Sequence, residues 1–166
     1  MPSNPLLHFI TQVINIEGVK VTNYHFITED EIVIELKNIH SKVACPYCKK
    51  LTDKVHQNHY HRVRDIPLSN YDVFLQVNRR QFKCTSCHKV FSEELSFVKK
   101  RRTYTLRLAS KVIQEVLETN VESAARRNRM TPAEVETLLK ELENVLLKEK
   151  PTSLKKLGID EITQLK

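Results

Sequence analysis

Cys45-Pro46-Tyr47-Cys48 and, thirty-five residues later, Cys84-Thr85-Ser86-Cys87-His88 are the stretches that decide how this chain folds. They hold all four of its cysteines. Two thiolates three positions apart on a tight turn can take two corners of a tetrahedron, and a second such turn alongside supplies the other two. The spacing therefore predicts one structural Zn²⁺ held by Cys45, Cys48, Cys84 and Cys87, closed to water because every coordination position is filled. A redox dithiol needs one Cys-x-x-Cys at a strand-to-helix turn, not two pairs that each follow a strand. Disulfides would suit a secreted chain, but residues 6–14 are too short a run for a signal peptide and are interrupted by His8, Thr11 and Gln12. His56, His59 and His61 lie between the knuckles and could each replace a thiolate. With four cysteines at hand, a solvated or phosphate-facing loop is the better reading of them.

The insert exceeds the usual ~15–20 residues of such sites and must itself be structured. Residues 71–77 alternate and are β-rich, then run through Arg79-Arg80-Gln81-Phe82 into the second knuckle. Residues 41–98 thus read as a zinc ribbon carrying a long hairpin. Before it, residues 1–40 read as a short helix from Pro5 to Ile14, ended by Gly18, and two strands, 19–27 and 31–37, around Thr28-Glu29-Asp30. Ile32, Ile34 and Leu36 share one face of the second strand.

After the ribbon, Lys99-Lys100-Arg101-Arg102 reads as a flexible basic arm. A helix follows from Thr105, with Ala109, Val112, Ile113, Val116 and Leu117 at helical spacing. A short helix covers 121–128, and Asn128-Arg129-Met130 makes a turn. Thr131-Pro132-Ala133-Glu134 is a capping box with proline at the first helical position, opening a helix that continues until Pro151. Residues 99–150 therefore read as basic arm plus a three-helix helix-turn-helix. The third helix carries Glu134, Glu136, Glu141 and Glu143, which suits phosphates poorly. Its long apolar seam also suits pairing with a second copy, giving a homodimer. The fold class is α+β: a β-rich zinc ribbon with a preceding hairpin, then a three-helix bundle.

Charge is unevenly spread. Residues 41–110 hold fifteen Lys/Arg against five Asp/Glu, residues 1–40 two against five, and residues 111–166 ten against ten. A basic field confined to one part of a chain attracts a polyanion, usually nucleic acid. The candidate contacts are Arg79, Arg80, Lys99, Lys100, Arg101, Arg102, Arg107, Arg126, Arg127 and Arg129, and the expected partner is double-stranded DNA. No run of ~18 apolar residues predicts a membrane span. Two glycines and no tryptophan argue against a large α/β enzyme.

Taken together, the Cys-Pro-x-Cys knuckle, His59, Arg62, Arg64-Asp65-Ile66-Pro67, Arg79-Arg80-x-Phe82-x-Cys84-x-x-Cys87 and Phe91-x-Glu93 resemble the ISL-three family of bacterial insertion-sequence transposases. There a zinc ribbon and a helix-turn-helix precede an RNase H-like domain with an Asp-Asp-Glu triad. The resemblance spans roughly residues 40–162 and implies binding to transposon ends and a cytoplasmic, nucleoid-associated location. It also makes Leu157-Gly158-Ile159-Asp160-Glu161 the first strand of the catalytic domain, within residues 151–166, and Asp160 the first metal-binding carboxylate. The other two carboxylates of the triad are missing, so no catalysis is expected from this chain alone. Two other readings are a subunit of a split Asp-Asp-Glu nuclease and a zinc-stabilised protein interaction module. Glycine often follows the second cysteine of the family's first knuckle. Here it is Lys49, which has less backbone freedom.

Overall fold

Asn4 and Asn15 set the limits of the first helix. A computed structural model describes residues 4–146. In it α1 (Pro5–Ile14) begins where the Asn4 side chain accepts from the Leu6 N–H at 3.0 Å, with proline at its first position. It ends at Asn15, whose φ of 48° is left-handed, and not at Gly18 as the sequence led us to expect. Gly18, with φ 79°, instead turns the chain into β1 (Val19–Phe26). β2 (Glu31–Asn38) returns antiparallel beside it. Val33 is buried along with Ile32, Ile34 and Leu36, so β2 is covered on both faces and not one.

The neighbour of β2 on its other edge comes from far along the chain. The chain next forms β3 (Val43–Ala44), β4 (Leu51–Thr52), β5 (Val55–Gln57), β6 (Tyr60–Arg64), β7 (Asp72–Asn78), β8 (Gln81–Lys83) and β9 (Val90–Ser92). The expected long hairpin does not stay in the ribbon. Strand β7 pairs in parallel with β2, in the register Ile32↔Val73, Val33↔Phe74 and Ile34↔Leu75. With β6 added antiparallel, the sheet order is β1-β2-β7-β6. The ribbon proper keeps the β3-β4 pair and the sheet β5-β8-β9. Arg79 and Arg80 form the step between the two sheets, so one sheet runs across residue 40. Alternation along β7 sends Val73, Leu75 and Val77 into a core shared with Val21, Ile34, Leu36, Val63 and Val98.

The C-terminal part is helical: α2 (Leu106–Glu118), α3 (Val121–Arg127) and α4 (Pro132–Leu146). Each starts at a side-chain cap. Thr105 accepts from Leu108 N–H and Asn120 from Ser123 N–H. Thr131 and Glu134 close the capping box reciprocally, at 3.2 Å and 2.7 Å. Leu108, Val112, Ala125, Met130, Val135 and Leu138 make one apolar cluster among the three helices. Val135 and Leu138 belong to the seam read as a pairing surface, and here they are buried inside the chain.

A buried ion pair joins sheet to helices. Asp65, directly after β6, is 2% exposed. Thr105 Oγ1 and Arg107 Nε each donate to its Oδ1 at 2.7 Å, and an Arg107 terminal nitrogen donates to Oδ2. Arg107 also donates to the Ile14 carbonyl at the end of α1. One carboxylate therefore ties together the cap of α2, the sheet and α1. Removing a partner from a buried pair costs about 3–5 kcal/mol, and the lower end applies because the Arg107 side chain is 36% exposed. Arg107→Met should lower stability by about 3 kcal/mol in urea unfolding. Asp65→Asn in the same chain should recover part of the loss, because the stranded charge is then gone. A loss under about 0.5 kcal/mol would mean the pair does not join these elements.

Candidate metal centre and nucleic-acid interface

The two knuckles are built alike. In the first, Cys45 N–H donates to the Lys50 carbonyl at 2.9 Å and Lys49 N–H donates to the Cys45 carbonyl at 2.8 Å. In the second, Cys84 N–H donates to Lys89 O at 2.9 Å and His88 N–H to Cys84 O at 3.0 Å. Each turn needs a left-handed residue straight after its second cysteine. Lys49 (φ 62°) and His88 (φ 57°) occupy those positions without the help of glycine. Strands β3 and β8 lead into the two turns, and β4 and β9 lead away.

This geometry brings the four Sγ atoms within 4.8 Å of one another. Cys45 and Cys87 Sγ are 3.6 Å apart, and Cys48 and Cys84 Sγ 3.5 Å. A disulfide would bring two sulfurs to about 2.0 Å, and all four cysteines are free. A tetrahedron with metal–sulfur bonds of about 2.3 Å has sulfur–sulfur edges near 3.8 Å, which fits the cluster. His56, His59 and His61 are not part of it.

Electrostatics prepare the cluster unevenly. The Cys84 thiol is pulled down to about 6, first by the backbone N–H of Cys87, with burial opposing and the Ser86 N–H adding. Cys87 is pushed up to about 11: the Lys89 N–H favours its thiolate, but burial and the neighbouring thiols outweigh that. Four thiolates cannot crowd together without a cation between them. A divalent ion removes that conflict and lets all four ionise.

The cations read from sequence separate into two sets. Arg80 is held inside, forked onto Glu93, with Nε donating at 2.9 Å and with the His40 carbonyl also on the guanidinium. Arg79 donates to the carbonyls of Val98 and Lys99. Arg107 is committed to Asp65, and Arg129 to Asp30, Asp72 and the Asn70 carbonyl. These four were read as phosphate contacts, and the fold uses their guanidinium groups internally. Arg126 and Arg127 lie exposed at the end of α3.

Residues 99–102 are not a flexible arm. Arg102 N–H donates to the Lys99 carbonyl at 3.3 Å and Arg101 has φ 63°, the sign pattern of a type II turn. Arg79 grips the start of this turn, and Arg102 is ion-paired to Glu141 of α4 at its end. Lys99, Lys100 and Arg101 are left exposed, with no ion-pair partner among the described residues. Sequence reasoning had also passed over Lys49, Lys50 and Lys89. The available signal was the lack of any acidic residue in 41–52 and 83–92. Asp160 lies outside the described residues. None of the described helices is long and apolar enough to cross a membrane.

Comparison with known proteins agrees with this layout. Residues 41–87 match the zinc-finger of transposase IS204/IS1001/IS1096/IS1165, and residues 93–142 match the helix-turn-helix domain of transposase family ISL3. The transposase for insertion sequence element IS1001 from Bordetella parapertussis is 33% identical over 93 residues, which is 56% of this chain and 23% of that protein. The matched part thus spans about a quarter of that relative's length. No solved structure matches the chain. With knuckles, ribbon strands and helices falling where these two regions require them, the chain belongs to the ISL3 transposase family and carries its zinc-ribbon and helix-turn-helix regions.

Proposed function

We propose that this chain is the zinc-stabilised DNA-binding module of a transposase, and that it holds the ends of an insertion sequence at the nucleoid. The observation that carries this reading is the turn at residues 99–102. Three neighbouring cations sit there in a fixed backbone, between sheet and helices, without internal neutralisation. Like charges held together repel, and a phosphate backbone is the partner that relieves them. Lys99, Lys100 and Arg101, with Arg126 and Arg127 on α3, supply the backbone contacts. Arg79, Arg80, Arg107 and Arg129 hold the frame that presents them. The exposed start of α4 bears Glu134 and Glu136, so it adds no charge attraction to DNA.

Cys45, Cys48, Cys84 and Cys87 hold one Zn²⁺, whose role is structural because the thiolates fill every corner. Strand transfer belongs to a catalytic domain distinct from both matched regions, and Asp160 is assigned to the edge of that domain by resemblance alone.

Freshly purified protein should contain about one zinc per chain, and Cys84→Ser should unfold the ribbon. Structural zinc contributes on the order of 10–16 kcal/mol in small modules. Elemental analysis showing folded protein with no zinc would contradict the assignment. Binding to duplex DNA should weaken as salt rises. Lys99→Gln, Lys100→Gln and Arg101→Asn together should make log K against log salt shallower by about 2–3, at ~0.9 per phosphate contact. Asparagine is chosen at 101 because it tolerates the left-handed backbone. An unchanged slope would remove the turn from the DNA contact.

A further inference from the structure

The zinc knuckles themselves present cations that the fold leaves unused. Residues 41–52 and 83–92 contain Lys42, Lys49, Lys50, Lys83 and Lys89 and no aspartate or glutamate. Four thiolates around one divalent cation keep two negative charges uncompensated, so the five lysines exceed what the metal centre needs. All five are exposed, and none takes part in an ion pair among the described residues. Arg80, Arg102, Arg107 and Arg129, by contrast, each meet a carboxylate.

The two turns bring Lys89 of the second knuckle beside the first knuckle, whose turn carries Lys49 and Lys50. Lys50 and Lys89 hold equivalent positions, each accepting through its carbonyl the N–H of the first cysteine of its knuckle. The clustered sulfurs bring the turns against each other. Lys89 reaches across from the second knuckle to the first, its Nζ 4.6 Å from the ring centroid of Tyr47. That ring is 57% exposed and orients the ammonium without cancelling its charge.

We infer that this knuckle face, through Lys49, Lys50 and Lys89, is a separate contact for the phosphate backbone of DNA, distinct from the turn at residues 99–102. The inference rests on the DNA-binding reading above and adds a second point of grip on the zinc side of the molecule. Two anchors on one rigid frame would fix the orientation of the duplex as well as its attraction.

The test uses the full chain and a duplex oligonucleotide of arbitrary sequence, titrated at several salt concentrations. Lys49→Gln, Lys50→Gln and Lys89→Gln together should leave zinc content unchanged and make the salt slope shallower by about 2–3. Adding the substitutions at 99–101 should reduce it further by a similar amount. If the triple variant loses zinc, Lys50→Gln and Lys89→Gln singly decide the matter, each expected to remove about 0.9 from the slope. A knuckle variant with wild-type slope, alongside a turn variant with a shallower one, would overturn this inference and leave the DNA-binding reading standing. A wild-type chain with no salt-dependent DNA binding would overturn both.

Discussion

Four thiols converging on one point are the constraint on which the remaining structure depends. Joining Cys45 and Cys48 to Cys84 and Cys87 closes the chain around the insert that contains β6 and β7. The ribbon strands β3, β4, β5, β8 and β9 are two or three residues long, too short to stand as sheets without a cross-link. On the proposed reading, a zinc ion at the thiol cluster supplies that cross-link, as metals do in small modules with little core of their own. The held insert can then deliver β7 to its parallel place beside β2, and the shared core follows from that placement. Asp65, at the end of β6, next receives the cap and the arginine of α2, so that ribbon, sheet and helices make one frame.

Charge is divided between arginine and lysine along physical lines. The planar guanidinium forks onto carboxylates and tolerates partial burial, and the ties at Asp65, Glu93, Glu141 and Asp30 use arginine, whereas Lys111, paired with Glu115 within the helices, is a lysine that does the same. The ammonium is a hydrated point charge on a flexible stem, suited to phosphates in water. Lysines at the knuckles and at residues 99 and 100 remain in solvent. A count of basic residues merges these two populations. The structure separates the paired cations from the unpaired ones, and on our reading only the unpaired ones, the exposed lysines with Arg101, Arg126 and Arg127, act on DNA.

Local signals were legible because their physics is local. The cysteine spacing, the start of α1, the Thr131–Glu134 capping box and the strand alternation of 71–77, one residue ahead of the observed strand, could all be read from neighbouring residues. Parallel pairing of β2 with β7 could not, since it joins segments about forty residues apart. Burial of Val33 was the one trace, a strand apolar on both faces, and it invites misreading as a single odd position. Nothing local marks Asp65 for burial, because Arg107, forty-two residues later, is what allows it. The basic run at 99–102 resembled a linker in composition, and only Arg79 and Glu141 from distant elements make it a fixed turn.

The central claim is that the unpaired lysines of the knuckles and the junction turn form the surface that meets DNA. Lysine reactivity read by mass spectrometry, with and without duplex DNA, tests it most directly. Lys49, Lys50, Lys89, Lys99 and Lys100 should be protected by DNA, while Lys20 and Lys37, equally exposed on the β1–β2 hairpin, should keep their reactivity. Protection spread evenly over all seven, or confined to Lys20 and Lys37, would contradict the account.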